Sequence, residues 1–170
     1  MPERLAISIK TMNKKIKSGF TLVELLVVIS IIGILAALSL VSFTTSQKQA
    51  RDAERKSDIK QYSTALENFA NQANGLYASR TVTVPAAGTL CQTDLGLTNC
   101  PDDPKYEVDP TYSQYEYQSN GTGGGTSDAT KYVLWAKLES SANYWVLCSD
   151  GKVGTKSQTG FSVSGGNCPI

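Results

Sequence analysis

The chain has 170 residues, 41% hydrophobic and 18% charged, a balance that excludes an intrinsically disordered polypeptide. It has no histidine, which removes Ser-His-Asp, Cys-His and histidine-ligated metal chemistry. The net charge is only +1 and unevenly placed, with +4 on residues 1–19 and −3 on the rest, which argues against nucleic-acid binding through overall charge.

The basic start carries Arg4, Lys10, Lys14, Lys15 and Lys17 against Glu3. A basic head before an apolar run is the pattern of a segment retained on the cytoplasmic side of a membrane. Met12 is an alternative to Met1 as the start, and the sequence does not choose between them. From Leu25 to Phe43 there is no charged residue. As a helix these 19 positions span about 28 Å, matching a hydrocarbon core of about 30 Å. Glu24 stands just before this run, where a carboxylate is unfavourable in lipid. Thr21-Leu22-Val23-Glu24 fits a capping box, with Thr21 as N-cap, and a carboxylate there also meets the positive end of the helix dipole.

The helical pattern continues past the apolar run with a change in polarity. In TTSQKQARDAERKSDIKQ, Asp52 attracts Arg55 or Lys56 at helical spacing, and Glu54 repels Asp58. Ile59, Tyr62, Leu66, Phe69 and Ala73 follow as an apolar stripe, and Asn74-Gly75 is a stop signal. The expectation is one nearly continuous helix from about Thr21 to Asn74, greasy on all sides at first and covered along one stripe later. Residues 76–113 contain four prolines and are predicted to be a long irregular connection. Strands are predicted at 115–119, 131–138 and 144–149, with a last short strand beginning at Lys152-Val153-Gly154. Gly121–Thr126, GTGGGT, is predicted to be a flexible hairpin tip.

Residues 17–38, KSG/FTLVELLVVISIIGILAAL, resemble the N-terminal motif of type IV prepilins and type II secretion pseudopilins. The resemblance implies cleavage after Gly19, methylation of Phe20, and a role for Glu24 in guiding assembly by pairing with a neighbour's new N-terminus. Val41 stands where many members carry a proline. The implied fold is α+β, pilin-like, with a long N-terminal helix packed on a C-terminal antiparallel sheet. The implied organisation is a leader at 1–19, a transmembrane and assembly helix at 20–43, its amphipathic continuation at 44–74, and a β-rich head at 75–170. The implied function is structural, not enzymatic: a subunit of a type IV pilus-like, helical homo-oligomeric filament, with a type II secretion pseudopilin, or a minor pilin for adhesion or DNA uptake, as alternatives. Its implied partners are a prepilin peptidase and N-methyltransferase, a membrane platform protein, a cytoplasmic assembly ATPase, and the lipid bilayer before assembly. The expected location is the bacterial cell membrane, single-pass with the head exported, then a periplasmic or extracellular filament.

Cys91, Cys100, Cys148 and Cys168 read as two disulfides of an exported domain. Pairing of sequence neighbours is expected, with the other two connectivities open. Asp102, Asp103, Glu107 and Asp109 are read as a solvated acidic loop, with Asp150 in another. Major pseudopilins often bind calcium in a C-terminal loop, so the resemblance leaves calcium as an alternative to a solvated loop, while no residue of this tail matches the family's ligands and no other cofactor is expected. Tyr112, Tyr115, Tyr117, Tyr132, Trp135, Tyr144 and Trp145 are read as sheet core and cross-strand pairs rather than a base-stacking surface.

Overall fold

The computed structural model describes residues 19–109 and 111–170, without the side chains of 39–42. The leader and Met12 readings lie outside the described residues, apart from Gly19, and the side chain of Val41 is likewise not described. Helix α1 spans Leu22–Gln72, and the chain divides into two units, one ending at Val41 and one covering Ser42–Ile170.

In the first unit α1 keeps its large apolar side chains exposed, from Leu22 at 78% to Leu38 at 70%. The segment is long and apolar enough to cross a membrane. Its one described hydroxyl, Ser30 Oγ, donates to the carbonyl of Val27 at 2.7 Å and so needs no water.

In the second unit the stripe on α1 meets a sheet. Ile59, Tyr62 and Leu66 are buried, whereas Phe69 and Ala73 are only partly so. The helix ends where Asn74 and Gly75 adopt left-handed φ angles of 56° and 81°, and the Gly75 N–H donates to the carbonyl of Ala70. The strands are β1 (Tyr77–Ala78), β2 (Val84–Pro85), β3 (Glu116–Ser119), β4 (Ser127–Ala129), β5 (Tyr132–Lys137), β6 (Asn143–Cys148) and β7 (Val153–Ser157). Five form an antiparallel sheet in the order β2-β3-β5-β6-β7, and β1 pairs with β4.

Strand alternation sorts the sheet into two faces. Tyr117, Tyr132, Leu134, Ala136 and Leu147 face α1 in the main core, joined by Tyr115 just before β3. Val133, Trp135, Val146 and Cys148 form the opposite face, covered by Phe161, Val163, Cys168 and Ile170 of the tail. The aromatic rings are thus used in packing: Tyr132 lies edge-on to Tyr77 with centroids 4.7 Å apart, and Trp135 packs on Phe161 at 5.5 Å.

Two expectations are corrected. The connection at 76–113 is not irregular throughout, because it carries β1, β2 and a π-helix at Ala86–Asp94. Leu90 and Cys91 of that π-helix enter the core. The GTGGGT segment is not a free hairpin tip. Ser79 Oγ accepts the Gly123 N–H at 2.7 Å, the Ser79 N–H donates to the Thr126 carbonyl, and the Gly125 N–H donates to the Ser79 carbonyl. A Cβ on Gly121 would come within 2.5 Å of Ser79 Oγ, so glycine is required there by close approach as well as by its φ of 95°.

Candidate assembly site

Gly19 and Phe20 precede α1 outside any helix or strand and are exposed, Phe20 at 87%. The capping box is formed. The Thr21 N–H and Oγ1–H both donate to Glu24 Oε2, at 2.8 and 2.7 Å, and the Glu24 N–H donates back to Thr21 Oγ1 at 3.2 Å. All three contacts leave Glu24 Oε1 without a partner among the described residues. One carboxylate oxygen therefore holds the helix start, and the other accepts no hydrogen bond from the described residues. The site combines a carboxylate oxygen with no described partner, an exposed Gly19-Phe20 before the helix and an apolar helix.

The head is organised around a buried ion cluster that the sequence reading did not foresee. Arg55 has no exposed surface, and its Nε and Nη2 donate to the two oxygens of Asp103 at 2.7 and 2.9 Å. Its Nη1 donates to Asp52 at 2.8 Å. Asp52 also accepts the N–H groups of Glu139 and Ser140 and the Ser140 hydroxyl. Arg51 grips Glu139 with two hydrogen bonds, and Lys105 lies 3.5 Å from the same carboxylate. The Tyr112 ring has the cations of Arg55, Lys105 and Lys137 each 5.0 Å from its centroid. This corrects the reading of a solvated acidic loop at Asp103, which is buried against Arg55; Asp109 is partly exposed and held by Thr111 and Lys105, and Glu107 is exposed. Only the Asp52–Arg55 pair had a local signal, since Asp103 and Glu139 arrive from far along the chain.

Burial alone would raise the Asp52 carboxyl, but its four donors outweigh that and hold it below the usual range. The Arg51 fork holds Glu139 low. Asp58 goes the other way. Burial, reinforced by the charges of Glu54 and Asp103, pushes it up, and the Tyr115 hydroxyl offsets this only in part.

The disulfides are Cys91–Cys100 and Cys148–Cys168. Cys148, Asp150 and Cys168 bring three ligand-type atoms within 4.8 Å of one another, but both sulfurs belong to the disulfide and offer no thiolate. Asp150 pairs with Lys152 at 3.0 Å.

Comparison with known proteins converges on the N-terminal helix. Residues 14–40 match the family described as the prokaryotic N-terminal methylation motif. The chain is 43% identical over 51 residues to the type IV major pilin protein PilA of Myxococcus xanthus, a match spanning 30% of this chain and 23% of that pilin. It is 33% identical over 121 residues to the type II secretion system core protein G of Pseudomonas aeruginosa, spanning 66% of this chain and 81% of the relative. The chain belongs to the family of type IV pilins and type II secretion pseudopilins. No solved structure matches it. Members of this pilin and pseudopilin family assemble into filaments and are processed by prepilin peptidase, and its relatives are structural subunits rather than enzymes. The apolar start of α1 in this pilin-family chain suggests membrane anchoring with an exported head.

Proposed function

We propose that this chain is the structural subunit of a type IV pilus-like filament, cut between Gly19 and Phe20, methylated on Phe20, and drawn from the membrane through α1. It has no catalytic role in this reading. The observation that carries the proposal is the start of α1: a capped, uniformly apolar helix whose lone carboxylate keeps Oε1 open. Cleavage would create an ammonium on Phe20 beside the helix start. A neighbour's ammonium can then take Oε1 while Oε2 continues to cap, so Glu24 serves both roles at once. The apolar side chains are sheltered in lipid before assembly and among their own kind afterwards, which keeps the free-energy difference small and the transfer reversible. A membrane platform protein and a cytoplasmic ATPase would drive that transfer.

Replacing Glu24 with Ala tests the pairing. Filament yield should fall sharply while the chain still reaches the membrane. Wild-type yield from Glu24→Ala would refute the role given to this residue.

A second reading, a type II secretion pseudopilin, is favoured by the longer alignment, which covers 81% of the core protein G relative. Deleting the chain in its host separates the two. A pilus subunit's loss removes surface filaments, whereas a pseudopilin's loss retains secreted proteins in the periplasm.

A further inference from the structure

The filament reading leaves open how heads contact one another, and two features of the head fit each other as tip and socket. The tip is the turn at 104–108. Val108 is 81% exposed, the most exposed large apolar side chain of the head, and Tyr106 is 42% exposed. Glu107 stands between them, fully at the surface.

This turn is held firmly from beneath. Lys105 donates its N–H to Asp103 Oδ1 at 2.8 Å, the Tyr106 and Val108 N–H groups bond to the carbonyls of Asp103 and Lys105, and Asp103 is fixed to buried Arg55. An apolar pair on an ordered turn lowers the ordering cost of docking.

The socket is a groove on the solvent side of α1. It opens to about 420 Å³ beside Lys60, Gln61 and Thr64. It continues past Ala65 into smaller hollows of about 200 and 150 Å³ floored by Leu95 and Leu97. Leu97 is 42% exposed. Lys60 is exposed on the rim, and neither it nor Glu107 has an ion-pair partner among the described residues.

We infer that the 104–108 turn of one copy docks in the α1 groove of a second copy, with Val108 and Tyr106 against Leu97 and Ala65 and Glu107 against Lys60. The charge complementarity selects the occupant: Lys105 of the turn is engaged by Glu139 and Asp109, which leaves Glu107 as the turn's unpaired charge to meet the unpaired Lys60 at the rim of the apolar groove. Tip and groove share no residue, so the contact is heterologous. Repeated without closure it builds an open helical polymer, as a filament requires. This inference rests on the filament reading above.

The test is a charge reversal in the full-length chain, scored by sedimented filament yield and electron microscopy. Glu107→Lys and Lys60→Glu should each lower the yield by about tenfold or more, and the double variant should recover most of it. Melting of the detergent-solubilised chain should stay at the wild-type temperature in all three, because both side chains are exposed. Should a reversed chain fail to fold, Val108→Ser reads the same docking through its apolar part and should lower the yield too.

Wild-type yield from Val108→Ser or from either single reversal would overturn the docking, as would a double variant no better than the singles. If the wild-type chain forms no filament, the filament reading itself falls and takes this inference with it. Filaments that ignore the substitutions defeat the docking alone.

Discussion

At Arg55 a guanidinium with no exposed surface faces carboxylates from three parts of the chain: Asp52 on α1, Asp103 in the following connection and Glu139 after β5. Removing the cation strands those charges in the interior, so Arg55→Ala should destabilise the head by about 3–5 kcal/mol, read by denaturant unfolding of the detergent-solubilised chain. A loss under about 1 kcal/mol would mean that water reaches the cluster.

Two carboxylate behaviours set the pH response. Asp52 and Glu139 titrate low in the folded chain, so their stabilisation is full above the unfolded carboxyl range and is lost as pH falls through their folded values. Asp58 titrates high, so it favours the folded state most below the unfolded range, and that contribution disappears as pH rises through its folded value. Asp58→Asn, which keeps an acceptor for Tyr115, should therefore raise the melting temperature at neutral pH. The gain should vanish in acid, where Asp58 is protonated in both states. A variant less stable than wild type at pH 7 would show the carboxylate to be favourable where it lies.

Among the elements, α1 and strands β3, β5 and β6 were legible because their signals are local. Ile59, Tyr62 and Leu66 repeat at helical spacing, and β5 and β6 are rich in branched and aromatic residues. The two-residue strands β1 and β2 carry too few residues for a pattern. The π-helix at Ala86–Asp94 has no sequence signature of its own, since it is defined by bonds such as Leu95 N–H to the carbonyl of Leu90. The GTGGGT loop read as flexible from composition, yet its glycines permit close approach to Ser79, Arg80 and Thr81 just after β1, which only the folded chain reveals.

The disulfides act at this scale. Cys148–Cys168 ties the tail over the outer face of the sheet across a separation of 20 residues, and Cys91–Cys100 closes a separation of 9. Chain-entropy arguments assign about 3 kcal/mol to the former and about 2.5 kcal/mol to the latter. Paired Ser substitutions should lower stability in that order, and the Cys148/Cys168 pair should also expose the tail to protease. Equal protease resistance with and without that bond would show that Phe161, Val163 and Ile170 hold the tail unaided.

For the whole molecule, the residues proposed for processing and assembly stand in one continuous motif, residues 17–38, and the Thr21–Glu24 capping box within it was legible because its partners are three positions apart. The ion cluster was not, because Arg55 meets Asp103 and Glu139 across separations of 48 and 84 positions, which only the tertiary fold closes. That cluster bears on cofactors as well. The acidic groups at its centre are already neutralised by Arg51, Arg55 and Lys105, so a chelator should leave the melting temperature of the chain unchanged. A fall on adding EDTA, reversed by calcium, would establish a metal-dependent head.

If processing makes Phe20 the N-terminus of an assembling subunit, the intact mass and N-terminal sequence of chain recovered from membranes will show it. A chain that starts at Phe20 and is heavier than the cut sequence by one methyl group is expected. A chain left uncut, or cut after the apolar run, would contradict that processing and return Glu24 to the role of a helix cap alone.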